Sequence, residues 1–236
     1  MKTRISQAYP DRVEVRGRDL TELMGRLDFT GYFHLLLTGR EPTEDEQFFL
    51  DLVLVAIAEH GLMPSNVAAR MTLAADPGSL QGAVAAGILG AGPVILGATE
   101  QCARMLADAH ARGQDAAAIA GRIHAAGERM PGFGHPLHKP VDPRAERIFE
   151  LADERGVSGP HVALARALRE EVADTWGMPL PLNVSLAIAA VLLDLGYPPL
   201  VAKAVPILAR TASLLAHLAE EMEDPIGFQL AARAVE

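Results

Sequence analysis

Apolar residues recur along most of the chain at the three- and four-residue spacing that buries one face of a helix. Only the segment DRVEVRG, residues 11–17, alternates apolar and charged residues as a short strand or an extended arm would. The pattern therefore predicts an all-α protein. Its expected helices cover residues 28–39, 44–60, 67–96 as one helix or a pair, 97–113, 115–130, 143–155, 160–176, 184–195 and 199–223.

Several helix boundaries carry their own local signals. Thr43 and Glu46 have the spacing of a capping box, so a helix is expected to begin at residue 44. Asp142 followed by a proline predicts an N-cap and the first position of a further helix. Gly39 and Gly61 are expected to end the two helices that precede them.

Composition and charge narrow the class of protein. Half of the 236 residues are hydrophobic but only 5% are aromatic, which favours packed helices, and the length suits one principal domain. A net charge of −9 argues against binding nucleic acid or an anionic membrane. The apolar stretches are interrupted before the ~20 residues of a membrane span, so core helices are expected. With Cys102 as the one cysteine and no secretion signal, the expected location is the cytoplasm.

The segment MPGFGHPLHKPVDPRA, residues 130–145, has the composition of a shaped binding loop. His135 with Lys139 and Arg144, stiffened by prolines, would suit a carboxylate or phosphate ligand. A histidine bonded to its own loop and ordinary solvated charges are the alternative. His135 and His138 lack further ligands at metal-binding spacing, so no metal site is predicted.

Two further basic residues are candidates for ligand binding. His60 ends a predicted helix, where it either favours the helix dipole or faces a ligand. Arg210 lies in an apolar stretch and needs an anionic partner, from the protein or from a bound carboxylate. His217 falls on the same helix face as Arg210, and both could be structural.

The Gly-rich run GILGAGPVILGA has neither a Walker loop nor a dinucleotide fingerprint, and no serine lies in a nucleophile elbow. Nucleotide binding at this run and nucleophilic hydrolysis are therefore not predicted. Polar loops at four places are instead expected to meet at one cleft. They cover residues 60–66, 91–97, 131–144 and 177–183.

The order of these segments resembles the citrate synthase superfamily, most of all its short members usually called citryl-CoA lyases. The resemblance rests on the stretches FTGYFHLLLTGREPTEDE, AEHGLMPSNVAAR, QGAVAAGILGAGP, PGFGHPLHK, DPRAERIF, PLNV and ILARTASLLAHLAEE. It implies a shortened, multi-helical citrate synthase-like fold. Residues 1–130 and 178–236 would form the large-domain core, residues 131–177 the small-domain helices, and two or more copies a homodimer or higher homo-oligomer.

The resemblance also implies a set of roles. His135 would act in catalysis by polarising the carbonyl group of an oxoacid, and His60, Arg144 and Arg210 would hold carboxylates. Lys139 matches a position that contacts CoA. The implied partners are an acyl-CoA and a di- or tricarboxylic acid, with the CoA thioester as co-substrate and no covalently bound cofactor.

Three positions depart from the family pattern. Ile95 stands where the family has a histidine that stabilises the thioester enol, and Ser185 stands where it has the aspartate base. Asp224 replaces a family arginine. Two hypotheses follow: an enzyme that forms or cleaves a carbon-carbon bond, in which Glu100 or His138 supplies an acid or base, and a non-catalytic protein that binds CoA esters or completes a partner's site.

Overall fold

The computed structural model describes residues 3–233, apart from the side chains of residues 93 and 94. The chain divides into two compact units, Met1–Leu52 and Val53–Glu236. Helices make up most of the described residues, as the all-α prediction requires. The predicted assignment of residues 131–177 to small-domain helices stays a prediction.

The first unit contains a three-stranded antiparallel sheet of order β1-β2-β3. Its middle strand, Val13–Val15, lies within the predicted segment, whereas the outer strands were not predicted because segments of two or three residues are too short to show an alternating pattern. Val15 packs with Leu23 and Leu35 in a small core. The elements of this unit are β1 (Ser6–Ala8), β2 (Val13–Val15), β3 (Arg18–Asp19), α1 (Leu20–Leu23), α2 (Phe29–Thr38) and the beginning of α3 (Glu44–Ala58).

The second unit continues α3 and consists, over its described residues, of helices joined by loops. The predicted helix over residues 67–96 is a pair, α4 and α5, and α12 is a short helix that the pattern did not predict. The remaining helices are α4 (Pro64–Ala75), α5 (Leu80–Ile95), α6 (Ala98–Ala111), α7 (Ala116–Ala125), α8 (Pro143–Glu154), α9 (Pro160–Trp176), α10 (Val184–Asp194), α11 (Pro199–Glu223) and α12 (Gly227–Arg233).

Helix α10 forms the centre of the second unit. Residues 184–192 are all buried, and α10 packs against α6, α8, α9 and α11. A helix buried on every side needs apolar residues all round, which explains the continuous run VSLAIAAVLL. Helices α4, α5 and α11 pack against one another, and α5 lies so close to α11 that a Cβ atom on Gly87 would be only 2.7 Å from the Leu214 side chain.

Among the described residues, α11 alone has the length and apolar composition of a membrane span. Its most apolar 18-residue stretch has a mean hydropathy of 1.3, and 44% of that stretch is buried in the protein. Arg210 and Glu221 are nevertheless buried within it, and the helix packs against α4, α5 and α6. These are the properties of a helix that belongs to a protein core.

Hydrogen bonds between side chains and nearby backbone groups determine where α3 begins and ends. The predicted capping box is confirmed: the Thr43 N–H donates to Glu46 at 2.8 Å, and the Glu46 N–H donates to the Thr43 hydroxyl at 3.2 Å. The predicted end at residue 60 is wrong, since the helix ends at Ala58. The Glu59 carboxylate accepts the next two backbone N–H groups, which favours a turn over another helical residue.

Candidate functional site

The two loops at residues 131–144 and 177–183 lie against each other, as the sequence predicted. The Gly134 N–H donates to the Pro181 carbonyl at 2.8 Å, and the Asn183 side-chain amide donates to the Gly134 carbonyl at 3.1 Å. These bonds fix the backbone that leads into the GFGH motif. The loop is therefore held by its partner segment rather than by its own prolines alone.

Three imidazole rings converge beside this backbone. The centroid of His60 lies 5.2 Å from that of His135 and 5.7 Å from that of His138. The rings of His135 and His138 stack at 4.3 Å. His60 thus joins the histidines of the 131–144 loop instead of serving as the last residue of α3.

Hydrogen bonds determine the tautomer of His135. Its Nδ1 atom accepts the backbone N–H groups of Leu137, at 3.1 Å, and His138, at 2.9 Å. In a neutral imidazole the other nitrogen, Nε2, then carries the proton. The Nη2 atom of Arg144 lies 3.5 Å from that Nε2. Since both groups are donors, they form a donor pair that can share one oxygen acceptor.

Asp142 orients the Arg144 guanidinium. It accepts Arg144 Nε at 3.0 Å and Nη2 at 2.9 Å, and it also accepts the Val184 N–H at 3.0 Å. Burial opposes ionisation of Asp142, but the hydrogen bonds and charge of Arg144 and the Val184 N–H outweigh it and lower the pKa. The sequence indicated Asp142 only as an N-cap, whereas the structure shows that it also connects α8 to α10.

Arg210 is buried, as its apolar surroundings predicted. Its Nη1 donates to the Asn66 side chain at 3.3 Å, while Nε has no hydrogen-bond partner among the described residues. Burial lowers the pKa of Arg210, and the negative charge of Glu59 opposes that effect. No carboxylate of the described residues forms an ion pair with this guanidinium, and Glu59 acts on it through its charge without a direct contact.

The surroundings of His60 and His135 favour the neutral form of both imidazoles. Burial is the largest cause of the lowered pKa of both His60 and His135, and the charge of Arg144 and the neighbouring His138 add to it. Arg210 also lowers the pKa of His60, which places this guanidinium within electrostatic reach of the ring. Neutral imidazoles beside two guanidinium groups form a site for an anion.

The lowered pKa values predict how stability depends on pH. Unfolded histidine has an ordinary pKa of 6.5, so below that pH the unfolded chain binds protons that folded His60 and His135 resist. The two neutral histidines therefore contribute to the free energy of unfolding, and this contribution is fully present above pH 6.5. It is lost as the pH falls through the lower pKa values that His60 and His135 have in the folded protein. We expect the free energy of unfolding, measured with urea, to fall less between pH 7.5 and 5.5 in the variant His60→Gln, His135→Gln than in the unchanged protein. An equal fall in both proteins would contradict the lowered pKa values of His60 and His135.

A metal ion is the other ligand that three histidines suggest. One ring nitrogen from each of His60, His135 and His138 lies within 4.8 Å of the others. However, Nδ1 of His135 is occupied by two backbone donors, its Nε2 carries the proton, and the Arg144 cation lies beside it. The donor set therefore fits an anion better than a cation, and the absence of a metal site stays a prediction.

The remaining predicted residues are less closely connected. Lys139 is exposed, and its ammonium makes no hydrogen bond or ion pair with the described residues. Ile95 is the last residue of α5, and Ser185 is buried in the first turn of α10. Glu100 pairs with Lys203 at 2.8 Å and not with the imidazole cluster.

Asn66, Asn183 and Glu59 were missed as site residues. They act through hydrogen bonds to the backbone or to other site residues, and such bonds leave no spacing pattern in a sequence. For Asn66 and Asn183 the one available signal was their position in polar loops that were expected to meet, whereas Glu59 lay within the predicted helix over residues 44–60.

The amino-acid sequence was compared with those of known proteins. Residues 5–229 match the family described as "Citrate synthase, C-terminal domain". A citrate synthase of Heyndrickxia coagulans is 32% identical over 209 residues, which are 84% of this chain and 53% of that protein. A citrate synthase of Haloferax volcanii is 29% identical over 89% of this chain and 55% of its own length. The chain thus spans about half the length of these relatives.

Solved structures agree with the sequence comparison. Citryl-CoA lyase from Hydrogenobacter thermophilus superposes with a TM-score of 0.89 and 32% identity, over 95% of this chain and 88% of that one. ATP citrate lyase of Methanosaeta concilii, solved with (3S)-citryl-CoA, shares the fold with a TM-score of 0.82 at 22% identity, over 94% of this chain and 39% of that one. Together with the match over residues 5–229, these likenesses show that the chain belongs to the citrate synthase family.

Proposed function

We propose that this protein forms or cleaves the carbon-carbon bond between an acyl-CoA and an oxoacid, with weak or altered activity, in the manner of a citryl-CoA lyase. The observation that carries the proposal is the donor pair of His135 Nε2 and Arg144 Nη2, separated by 3.5 Å. Similarity to citryl-CoA lyase over 88% of that enzyme's chain supports the same assignment.

The donor pair defines what the protein would do to its substrate. In the direction of synthesis, the carbonyl oxygen of an oxoacid gains negative charge as the new carbon-carbon bond forms. The His135 Nε2–H and the Arg144 guanidinium would stabilise that oxygen. In cleavage the same oxygen carries the charge before the bond breaks. Its electron pair forms the carbonyl group, and the electron pair of the breaking carbon-carbon bond passes to the carbon next to the thioester, which becomes the enolate.

Arg210 and His60 would bind the carboxylate groups of the substrate. Arg210 keeps a buried Nε without a partner among the described residues, and a carboxylate oxygen would satisfy it. His60 would contribute a second contact from the opposite loop. Lys139, exposed beyond the donor pair, is proposed to meet the CoA co-substrate, and the working state is proposed to be a cytoplasmic homodimer or higher homo-oligomer.

The alternative is a non-catalytic protein that binds CoA esters or carboxylates, or a subunit that completes a partner's site. It is favoured by Ile95 and Ser185, because an alkyl group cannot donate to an enolate and a neutral hydroxyl is a poor base. His138 is the better placed of the two proposed replacements, since its ring stacks on His135 whereas Glu100 is paired elsewhere.

Turnover separates the two functions. Purified protein is incubated with citryl-CoA, and separately with acetyl-CoA and oxaloacetate, and products are followed by mass spectrometry. Loss of the His135 donor is expected to reduce turnover about 10²- to 10³-fold in the His135→Ala variant. Turnover no higher than in that variant would reject the enzyme; saturable binding of citrate or CoA esters by calorimetry would then support the binding protein.

A further inference from the structure

Glu59 connects the turn that carries His60 to helix α11. Its carboxylate accepts the backbone N–H groups of His60, at 2.8 Å, and Gly61, at 2.6 Å. From α11 it accepts the Ser213 hydroxyl at 2.5 Å and His217 Nε2 at 3.1 Å. One side chain thus joins a loop and a helix that are far apart in sequence.

The direction of the His217 bond is set by Arg70. Its Nε and Nη2 atoms lie 3.2 Å and 2.9 Å from His217 Nδ1. A guanidinium can only donate, so Nδ1 accepts and Nε2 carries the proton that goes to Glu59. Arg70 is itself buried and is fixed by ion pairs with Glu220 and, at 3.0 Å, Glu221.

A second connection joins the same turn to the same helix. The Asn66 amide donates to the Gly61 carbonyl at 2.8 Å, and its oxygen accepts Arg210 Nη1 at 3.3 Å. Arg210 lies three and seven residues before Ser213 and His217, so all three share one face of α11. The turn at residues 60–61 is thus bonded to α11 twice, through Glu59 to Ser213 and through Asn66 to Arg210, and the two connections close a ring.

Charge adds to this geometry. The Glu59 side chain is 52% exposed, and the part of it that contacts the protein loses solvent, which opposes ionisation. The hydrogen bonds from Ser213, His217 and the two backbone N–H groups outweigh this loss and lower its pKa to about 2. Glu59 is therefore an anion at neutral pH, and its charge favours the protonated form of buried Arg210. The carboxylate thus favours the charge of Arg210 and anchors the turn that carries the neutral His60.

From this ring we infer that Glu59 is a positioning residue that fixes His60 relative to Arg210, an inference that rests on the proposed function because these two residues would hold the carboxylates. Glu59 would touch no substrate. It would determine which spacing of carboxylate groups the site accepts, since loss of its bonds frees the turn from α11.

A double-mutant cycle tests this role with citrate as the carboxylate probe. Calorimetry is carried out on the variants Glu59→Ala, His60→Ala and their combination, and Glu150→Ala serves as the control because it removes an exposed carboxylate of α8. We expect Glu59→Ala to weaken citrate binding at least tenfold and to have less than a twofold effect once His60 is absent. Glu59→Gln, which keeps one acceptor oxygen, should lie between. Additive effects would overturn the inference.

Hydrogen exchange in the ligand-free protein tests the anchor independently of binding. The amides of His60 and Gly61 are expected to exchange at least tenfold faster in Glu59→Ala, and to a smaller extent in Ser213→Ala, while amides of α10 keep their wild-type rates. If the unchanged protein does not bind citrate, the proposed function is rejected, and hydrogen exchange alone then decides whether Glu59 anchors the turn. Unchanged exchange at both amides would overturn the positioning role.

Discussion

Replacement of Gly132 with alanine is expected to lower the free energy of unfolding by about 2–5 kcal/mol, the sum of overpacking and of the left-handed backbone conformation. Gly132 has a φ of +80°, and an added Cβ would lie 2.5 Å from the Leu186 Cβ and 2.9 Å from the Cys102 Sγ. Its carbonyl also accepts the Asn183 N–H at 2.9 Å. The backbone therefore cannot shift without loosening the pairing of the two loops that hold His135.

Gly134, two residues later, provides a matched control. Its φ is +84°, nearly the same, but nothing lies within 4 Å of an added Cβ. Gly134→Ala is expected to cost only the conformational strain, about 1–2 kcal/mol. Urea unfolding followed by circular dichroism compares the two variants. An equal loss in the free energy of unfolding for both variants would show that the contacts of an added Cβ with Leu186 and Cys102 do not destabilise Gly132→Ala.

Introducing the histidine and the aspartate that the family resemblance implies at positions 95 and 185 is expected to have the largest effect on activity. The variant Ile95→His, Ser185→Asp should raise citryl-CoA cleavage about 10²- to 10⁴-fold, because general acid-base catalysis contributes factors of that size. Position 185 lies in the first turn of α10, where the helix dipole favours an introduced carboxylate. The neighbouring Asp142 carboxylate, bonded to the Val184 N–H, would oppose ionisation and raise the basicity of the new aspartate.

The control for this gain is Ile95→Asn, Ser185→Asn, which introduces polar side chains that neither supply nor remove a proton at neutral pH. Cleavage is measured by the release of acetyl-CoA, with His135→Ala added to each variant to show that the same site is used. An Ile95→His, Ser185→Asp variant no faster than the asparagine control would mean that the rest of the site is not competent for this chemistry.

The helices were predictable because their signals are local. The Thr43 and Glu46 capping box, the Asp142 N-cap and the apolar run of α10 each depend on residues within a few positions of one another. The membership of His135, Arg144 and His60 in one site was also predicted, the first two from their shared loop and the last from the family resemblance. The predicted ends of α3 and α7 were wrong, since α7 ends at Ala125 and not at residue 130. At the end of α3 the Glu59 side chain competes with the helix for the same backbone groups.

By itself, the sequence determined the all-α class, most helix boundaries and the family, since periodicity, capping and motif order are properties of neighbouring residues. Only the tertiary structure decided how those residues act. The proton position on His135, the unsatisfied Nε of Arg210 and the ring through Glu59 depend on distances between segments far apart in the chain. Hydrogen-bond donors and acceptors satisfy one another in space, so their roles were settled only when the loops and helices packed together.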